Sequence, residues 1–520
     1  MKKLLGILVL GLLWSNITFA EFKLNPIYKN NPTRFNYWLY ANGHHQYLNF
    51  DDDSIAYRAI AKNKKDNLIT IKTNRYTSPS RAKKAAMTRC KLSFKAQGEE
   101  MQKACYIDSV VEEEGGVLGV CATEPKWSPK WFTNSCDKFQ GSNNLNIKFY
   151  KEKFLLPYQA NPNRDTLIYY LWKSLYKYSI ERSKSYKFII QPSKNPYEFK
   201  SDLREGKFVK KQMQEKAVLS YLLFEDDKIV IDEISPKDRF GEFIDNTTKF
   251  RSNSAGKSIV GYIAGHAICA GYIDSVESKI DDWPLLKGTL YDGQKLIDIL
   301  NMNAGDQKYV YDSVLWDGED ADSKNFAHYM KKMQGKKKSK SRYNYNVILT
   351  SLIFNYILFK SGDDFEKLLN DVFQKKVRIK DSVYFQKNRG SRNTGTAHNM
   401  FFATRYDYLR LAKAILDDWQ NDTCVGKYLK TIYKNRIKKN MPSDQEEPGF
   451  GNTYSYGGQF HLDYRGLKNR IVFTMHGYAG QVVMVDVETS TIVVLNSLHY
   501  NNTRYKYNVK KLLVEPFKKK

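Results

Sequence analysis

The chain has 520 residues, 42% hydrophobic and 14% aromatic, which is ample material for packed cores and excludes a wholly disordered polypeptide. Lys and Arg number 83 against 56 Asp and Glu, a net charge of +27. Such an excess suits an anionic setting (a cell envelope, a headgroup layer or nucleic acid) or reflects a Lys- and Asn-rich composition.

The first twenty residues read as a signal peptide. Lys2-Lys3 form a basic start, Leu4 to Trp14 an apolar run, and Thr18-Phe19-Ala20 a small-residue cleavage site. The run is short for a membrane span, and no later run reaches about 18 apolar residues. The expectation is a periplasmic or secreted protein, not transmembrane after cleavage and without a nucleic-acid partner. Six cysteines in an exported chain point to disulfides. Cys90–Cys105 and Cys121–Cys136 each close a loop of about 15 residues and are the expected bridges. Cys269 and Cys424 are left open. Metal-ligand spacing of the Cys-x-x-Cys or His-Glu-x-x-His type is absent, so neither a metal nor a cofactor is expected.

Residues 21–146 read as a small α+β unit. Leu68–Ile71 is a strand, Ser78-Pro79 a helix cap, Ser80–Ala96 a helix, and Ala104–Val111 a returning strand. Gln140–Asn146, rich in Asn, Gly and Ser, reads as a linker. Residues 151–520 read as one large domain. Ala217–Phe224 and Lys228–Ile234 form a hairpin around Asp226-Asp227. Helices are expected from near Ser254 and over Asp292–Leu300, Val347–Phe359, Asp364–Phe373 and Arg405–Trp419. Strands return at Thr453–Leu462, Ile471–His476, Gln481–Asp486 and Thr491–Leu498. Strands at both ends with helices between predict an α+β fold, an antiparallel sheet flanked by helices with an inserted helical lobe.

The chemistry centres on Ser254-Ala255-Gly256-Lys257. Spacing i,i+3 puts the hydroxyl and the amine on one helix face. Serine attacks only when a base takes its proton, and a lysine held uncharged can be that base. A helix N-terminus also offers free N–H groups to an anion. Ser-x-x-Lys arises by chance in a lysine-rich chain, as at Ser80/Lys83 and Ser174/Lys177. The hairpin before Ser254 and the apolar helix after it set that copy apart. The phosphate-loop reading of Gly256-Lys257-Ser258 fails at Arg251, and the Gly-x-Ser-x-Gly reading fails at Ser252.

From Ala217 to Leu498 the chain resembles the serine hydrolases of the β-lactamase and DD-peptidase superfamily. The resemblance points to the branch of class C β-lactamases, their esterase relatives and 6-aminohexanoate-dimer hydrolases. It rests on Phe250–Ser258, Leu300–Gly305, Arg342–Asn346, Phe402–Leu411 and Gly477–Gln481, in that order, with Trp316 where an aromatic often follows. It implies Ser254 as nucleophile, Lys257 as base and Tyr345 as proton shuttle, with Tyr343 the alternative shuttle. It implies an oxyanion hole from the N–H of Ser254 and one from the Gly477-Tyr478 strand, with Trp316 a further substrate-binding candidate; His476, beside Gly477 on a strand, either faces the cleft as another or packs or faces water. Lys-Thr-Gly is absent from this strand, which argues against β-lactam recognition. The expected activity is hydrolysis of a small amide, ester or peptide through an acyl-enzyme. A cell-wall transpeptidase or carboxypeptidase, or a catalytically silent envelope-binding protein on the same fold, are the alternatives. The seven Lys and Arg of Lys331–Arg342 read as a solvated loop or as a basic lip that attracts anionic substrates or envelope components.

Overall fold

The computed structural model describes residues 55–72, 79–94, 98–114, 148–150, 153–155, 187–216, 218–241, 244–311, 314–315, 326–387, 397–439, 453–467, 469–478, 480–497 and 510–518. The expected signal peptide, the linker, the Cys121–Cys136 pair, Ser174 and Trp316 lie outside the described residues. The chain divides into two compact units. One holds Met1–Ala56, Glu114–Pro157 and Pro162–Lys177; the other holds Tyr57–Glu113, Tyr158–Asn161 and Tyr178–Lys520.

Near the N-terminus, β1 (Ile55–Asn63), β2 (Asp66–Lys72), α1 (Pro79–Ser93), α2 (Glu99–Lys103) and β3 (Cys105–Glu114) follow in order. The strands pair as β2-β1-β3. Helix α1 begins at the proline expected in its first turn, where the missing N–H costs nothing. Its Ala82, Ala86 and Cys90 are fully buried with Ala59, Ala61 and Phe94, and Cys90 is bonded to Cys105. Strand β1 carries no signal that the sequence reading used. The first unit contributes the short antiparallel hairpin β4 (Lys148–Tyr150) and β5 (Lys153–Leu155).

The larger part of the second unit starts with β6 (Lys187–Ile190), β7 (Lys200–Ser201), α3 (Lys207–Glu215), β8 (Val218–Glu225), β9 (Lys228–Ile234) and β10 (Phe250–Arg251). The β8–β9 hairpin turns on Asp226 and Asp227 at φ 49° and 61°, the left-handed pair that a tight two-residue turn requires. Next come α4 (Ala255–Cys269), α5 (Leu296–Leu300), β11 (Val310–Tyr311), β12 (Val314–Leu315), α6 (Phe326–Met333), α7 (Val347–Ser361) and α8 (Phe365–Asn370). Then β13 (Val383–Lys387), β14 (Ala397–Ala403), α9 (Arg405–Gln420) and α10 (Cys424–Lys434) lead to the C-terminal strands. These are β15 (Ile437–Lys438), β16 (Thr453–Gly457), β17 (Phe460–Tyr464), β18 (Val472–Gly477), β19 (Gln481–Asp486) and β20 (Thr491–Ser497), followed by α11 (Lys510–Lys518).

Nine strands form one sheet in the order β15-β16-β17-β18-β19-β20-β8-β9-β7. All pairings are antiparallel except that of β7 with β9. The early hairpin and the C-terminal strands thus close a single sheet, and the fold is α+β as the strand distribution predicts. A second antiparallel sheet, β10-β14-β13-β6, places the segment before Ser254 beside β14. Helix α4 is buried on nearly every side, from Ala255 to Gly265 and again at Ala267, so it is a central helix rather than an amphipathic surface one.

Three of the expected elements differ in the structure. Thr453–Leu462 is two strands, because Gly458 and Gln459 take φ 58° and 72° and reverse the chain. The helix expected from Asp292 begins only at Leu296; Gly293 has φ 70°, and its N–H is drawn to the Ile280 carbonyl. The helix expected over Asp364–Phe373 keeps α geometry to Asn370 and then widens into a π-turn. Helix α10 was not anticipated. Its first residue, Cys424, is bonded to Cys269 at the end of α4, which settles the pair left open in the sequence.

Candidate active site

The turn before α4 is pinned from the side of β14. Ser252 donates its N–H to the Phe401 carbonyl (2.8 Å) and accepts the Phe401 N–H on its hydroxyl (2.9 Å). Asn253 takes φ 48°, a strained position that asparagine tolerates better than most side chains. Its amide donates to the Tyr478 carbonyl at 2.6 Å and so ties the turn to the end of β18. Ser254 then takes the N-cap position of α4, its side chain making no capping hydrogen bond, and is half-buried. Two glycines permit this packing. A Cβ at Gly256 would lie 1.9 Å from the Asn399 carbonyl oxygen, and one at Gly477 would lie 2.1 Å from the Ser252 carbonyl oxygen. Only bare Cα positions let helix start and strand end meet at that separation.

Lys257, one turn into α4, is 5% exposed and donates to Ser254 Oγ at 3.4 Å. Its Nζ lies 5.0 Å from the ring centroid of Tyr345. The structure therefore brings Ser254, Lys257 and Tyr345 to one point, with Gly477 and Tyr478 against the same turn. Ser80 and Lys83, the other described Ser-x-x-Lys match, are exposed on α1. Tyr343 is buried with its ring 6.4 Å from that of Tyr345, and Lys439 Nζ is 5.9 Å from its centroid.

Tyr345 is held by groups that the sequence reading did not single out. Asp306 is fully buried. It accepts from the amides of Asn344 (2.7 Å) and Asn346 (3.1 Å) and from the Tyr291 hydroxyl (3.0 Å). Burial pushes its carboxyl pKa up, against the pull of these hydrogen bonds. Asn346 also caps α7 through the Leu349 N–H. The residues on either side of Tyr345 are thus anchored to one carboxylate. Its only sequence signal is its position directly after the Leu300–Gly305 motif.

Behind Lys257 lies a buried ring cluster. His461 pairs with Thr474 across β17 and β18, so His461 shares a sheet face with His476 two residues on. Their rings are 5.3 Å apart, and Tyr456 packs on His461 at 5.0 Å. Burial, and then the Lys439 charge, hold both imidazoles uncharged: His461 falls well below its ordinary pKa and His476 to about 3. Lys439 Nζ sits 2.9 Å from His461 Nδ1. An ammonium has no acceptor, so Nδ1 accepts and the His461 proton is on Nε2. His476 stacks at 5.9 Å on Tyr464 and is 3% exposed, which places it inside this cluster rather than on an open face. Lys439 and His461 were missed because nothing in their spacing links residue 439 to 461.

The Phe402–Leu411 stretch serves a structural end. Thr404 caps α9 through the Asp407 N–H, and Asp407 accepts from Arg410 at 2.9 Å. Among the described residues, no group of three His, Cys, Asp or Glu could hold a metal ion, and no helix is long and apolar enough to cross a membrane.

No protein-family model matches the chain, and no curated protein matches it. Solved structures with some likeness include a Bacillus anthracis protein described as a 6-aminohexanoate-dimer hydrolase: 16% identity, 63% of this chain, 88% of that chain, TM-score 0.46. A β-lactamase from Sulfitobacter sp. EE-36 gives 13% identity, 60% of this chain, 95% of that chain and TM-score 0.44. A penicillin-binding protein homologue from Pyrococcus abyssi gives 15% identity, 60% of this chain, 76% of that chain and TM-score 0.42.

Proposed function

We propose that the chain is a serine hydrolase of the β-lactamase and DD-peptidase superfamily, cleaving an amide or ester through an acyl-enzyme on Ser254. The observation that carries this reading is the contact of Lys257 Nζ with Ser254 Oγ at the start of a buried helix, with Tyr345 beside the amine. In the proposed reaction an uncharged Lys257 takes the Ser254 proton, and Oγ forms a bond to the substrate carbonyl carbon. The carbonyl π electrons move to oxygen, and the N–H groups of Ser254 and Tyr478 receive that oxyanion. Collapse breaks the bond to the leaving amine or alcohol, which is protonated through Tyr345. Water then attacks the acyl carbon, the same groups removing its proton, and Ser254 is released. The five ordered sequence motifs support the superfamily. The Cys90–Cys105 and Cys269–Cys424 disulfides support an exported protein, since such bonds persist in oxidising compartments. Residues 21–146 are proposed to supply none of the reacting groups.

Labelling of the mature protein with a fluorophosphonate, followed by peptide mapping and a small ester and amide panel, tests the reading. Ser254→Ala should lose the label and all turnover, and Ser80→Ala should keep both. Lys257→Arg should be nearly as inactive as Lys257→Ala, because a guanidinium does not release its proton. Tyr345→Phe should slow acylation roughly 10²- to 10⁴-fold, the ordinary worth of a positioned proton transfer. Label retained by Ser254→Ala overturns the assignment.

A further inference from the structure

A cavity of about 750 Å³ opens beside Tyr343, between the 303–308 turn, the 339–342 loop and strand β15. Its lining includes Lys308, Lys340, Arg342 and Lys438, and no Asp or Glu. None of the four cations is paired with a carboxylate among the described residues. Two carboxylates close to the lining in sequence are engaged elsewhere: Asp306 with Asn344, Asn346 and Tyr291, and Asp298 with Asn303.

The cations are carried on backbone that is held in place. Ser339 donates both its N–H (2.9 Å) and its hydroxyl (2.7 Å) to the Gly305 carbonyl, and Gln307 donates to the Lys340 carbonyl at 2.9 Å. Residues 337–342 are therefore a loop laid down on the turn that precedes Asp306. Lys438 comes from the edge strand of the large sheet, one residue before the Lys439 that meets His461. Arg342 is half-buried, and burial works against its charge. Four like charges around one concavity repel one another, and a bound anion relieves that repulsion. The cavity also adjoins the chemistry. Tyr343 is in its wall, and the Tyr343 ring is 6.4 Å from that of Tyr345.

We propose that this cavity is an anion-binding subsite that receives the carboxylate or phosphate of an acidic substrate while its amide or ester bond lies at Ser254. The word substrate rests on the hydrolase reading above; the binding of an anion does not. The subsite splits the Lys331–Arg342 run into two parts. Lys340 and Arg342 point into recognition, whereas Lys331 and Lys332 end helix α6.

Calorimetric titration of the Ser254→Ala protein at physiological ionic strength reads the cavity without turnover. The probes are citrate and inorganic pyrophosphate, with uncharged glutaramide as the control. Saturable binding of either anion at one site per chain is expected, and which anion binds more tightly separates a carboxylate from a phosphate source. Lys340→Ala/Arg342→Ala should weaken it about tenfold to a hundredfold, since a hydrogen bond to a charged group typically contributes about a factor of ten or more. Lys194→Ala, which removes an exposed charge elsewhere, should bind as the parent does. No binding of either anion, or equal binding by the double variant, overturns the proposal whether or not esters are cleaved. In the Ser254 protein, the kcat/KM ratio of a carboxylate-bearing ester over a neutral ester of equal length should fall in the double variant by a similar factor. An unchanged ratio would also overturn it. A protein that cleaves neither ester but binds anions loses the hydrolase reading and keeps the subsite.

Discussion

Gly477 gives the sharpest structural prediction, because adding a single methyl group there sets two backbones against each other. In Gly477→Ala the new Cβ would lie 2.1 Å from the Ser252 carbonyl oxygen, 3.0 Å from Gln481 Cβ and 3.2 Å from the Ala255 nitrogen. Carbon and oxygen settle near 3.2–3.5 Å, so the gap must open by about 1 Å. Ser252 cannot retreat easily, since both its N–H and its hydroxyl are bonded to Phe401. The end of β18 must therefore move, and the Tyr478 N–H moves with it. A displacement of about 1 Å typically costs roughly 10² in rate, and loss of one oxyanion donor costs roughly 10²–10³. We expect kcat for an ester substrate to fall about 10²- to 10³-fold, with fluorophosphonate labelling slowed to match. Circular dichroism and thermal unfolding would confirm that the chain is folded. Asn253→Ala adds no atoms; it removes the 2.6 Å brace to Tyr478 and puts alanine at φ 48°, where asparagine is better tolerated, so it should cost about tenfold or more. A folded Gly477→Ala protein with kcat within about fivefold of the parent would remove β18 from the site.

Two further outcomes concern stability. Cys269 and Cys424 are 155 residues apart, and the chain-entropy model gives their bond about 5 kcal/mol. Cys269→Ser/Cys424→Ser should lower the free energy of urea unfolding by about 2–5 kcal/mol, and an unchanged midpoint would mean the bond does not constrain the chain. The second outcome is acid lability from histidines held uncharged: the buried His476 with a pKa of about 3 and the buried His461 well below the ordinary value, and the half-buried His266, whose desolvated ring falls to about 4. Below about pH 6.5 the unfolded chain binds three protons that the folded chain refuses, so stability falls as pH falls. Each histidine contributes about 1.4 kcal/mol per pH unit until its folded pKa is reached, or about 6 kcal/mol for the three between pH 7.5 and 5. Urea unfolding at fixed ionic strength measures it, and a flat profile over that range would contradict the burial of these rings.

Much of the fold was readable where the signal is local. Asp226-Asp227 between two apolar runs reads as a tight turn, and Ser78-Pro79 reads as the opening of a helix. Ser254 stood out because its neighbours in sequence, the hairpin and the apolar helix, are also its neighbours in space. Gly458-Gln459 escaped notice because the residues around it alternate as one continuous strand, and the reversal needs two positive φ angles, one of them at a glutamine. The helix expected from Asp292 starts later because Asp292 accepts the Gly288 N–H and closes a loop instead.

The parts of the site that stayed hidden share one property: their partners are far away in sequence and come from different elements. Asp306 acts on Asn344 and Asn346 from about forty positions before them. Lys439 meets His461 only because β15, β16 and β17 are neighbours in the sheet, and Cys269 meets Cys424 only because α4 and α10 pack together. A sequence motif can name the groups that would do chemistry, since those must be the right residue types. It does not name the groups that aim them, since any buried acceptor in the right place would serve. Asp306 therefore separates the two kinds of information. Tyr345 was identifiable from its surroundings in the chain, but what fixes its position is one carboxylate, buried by the fold and bonded on both sides of it.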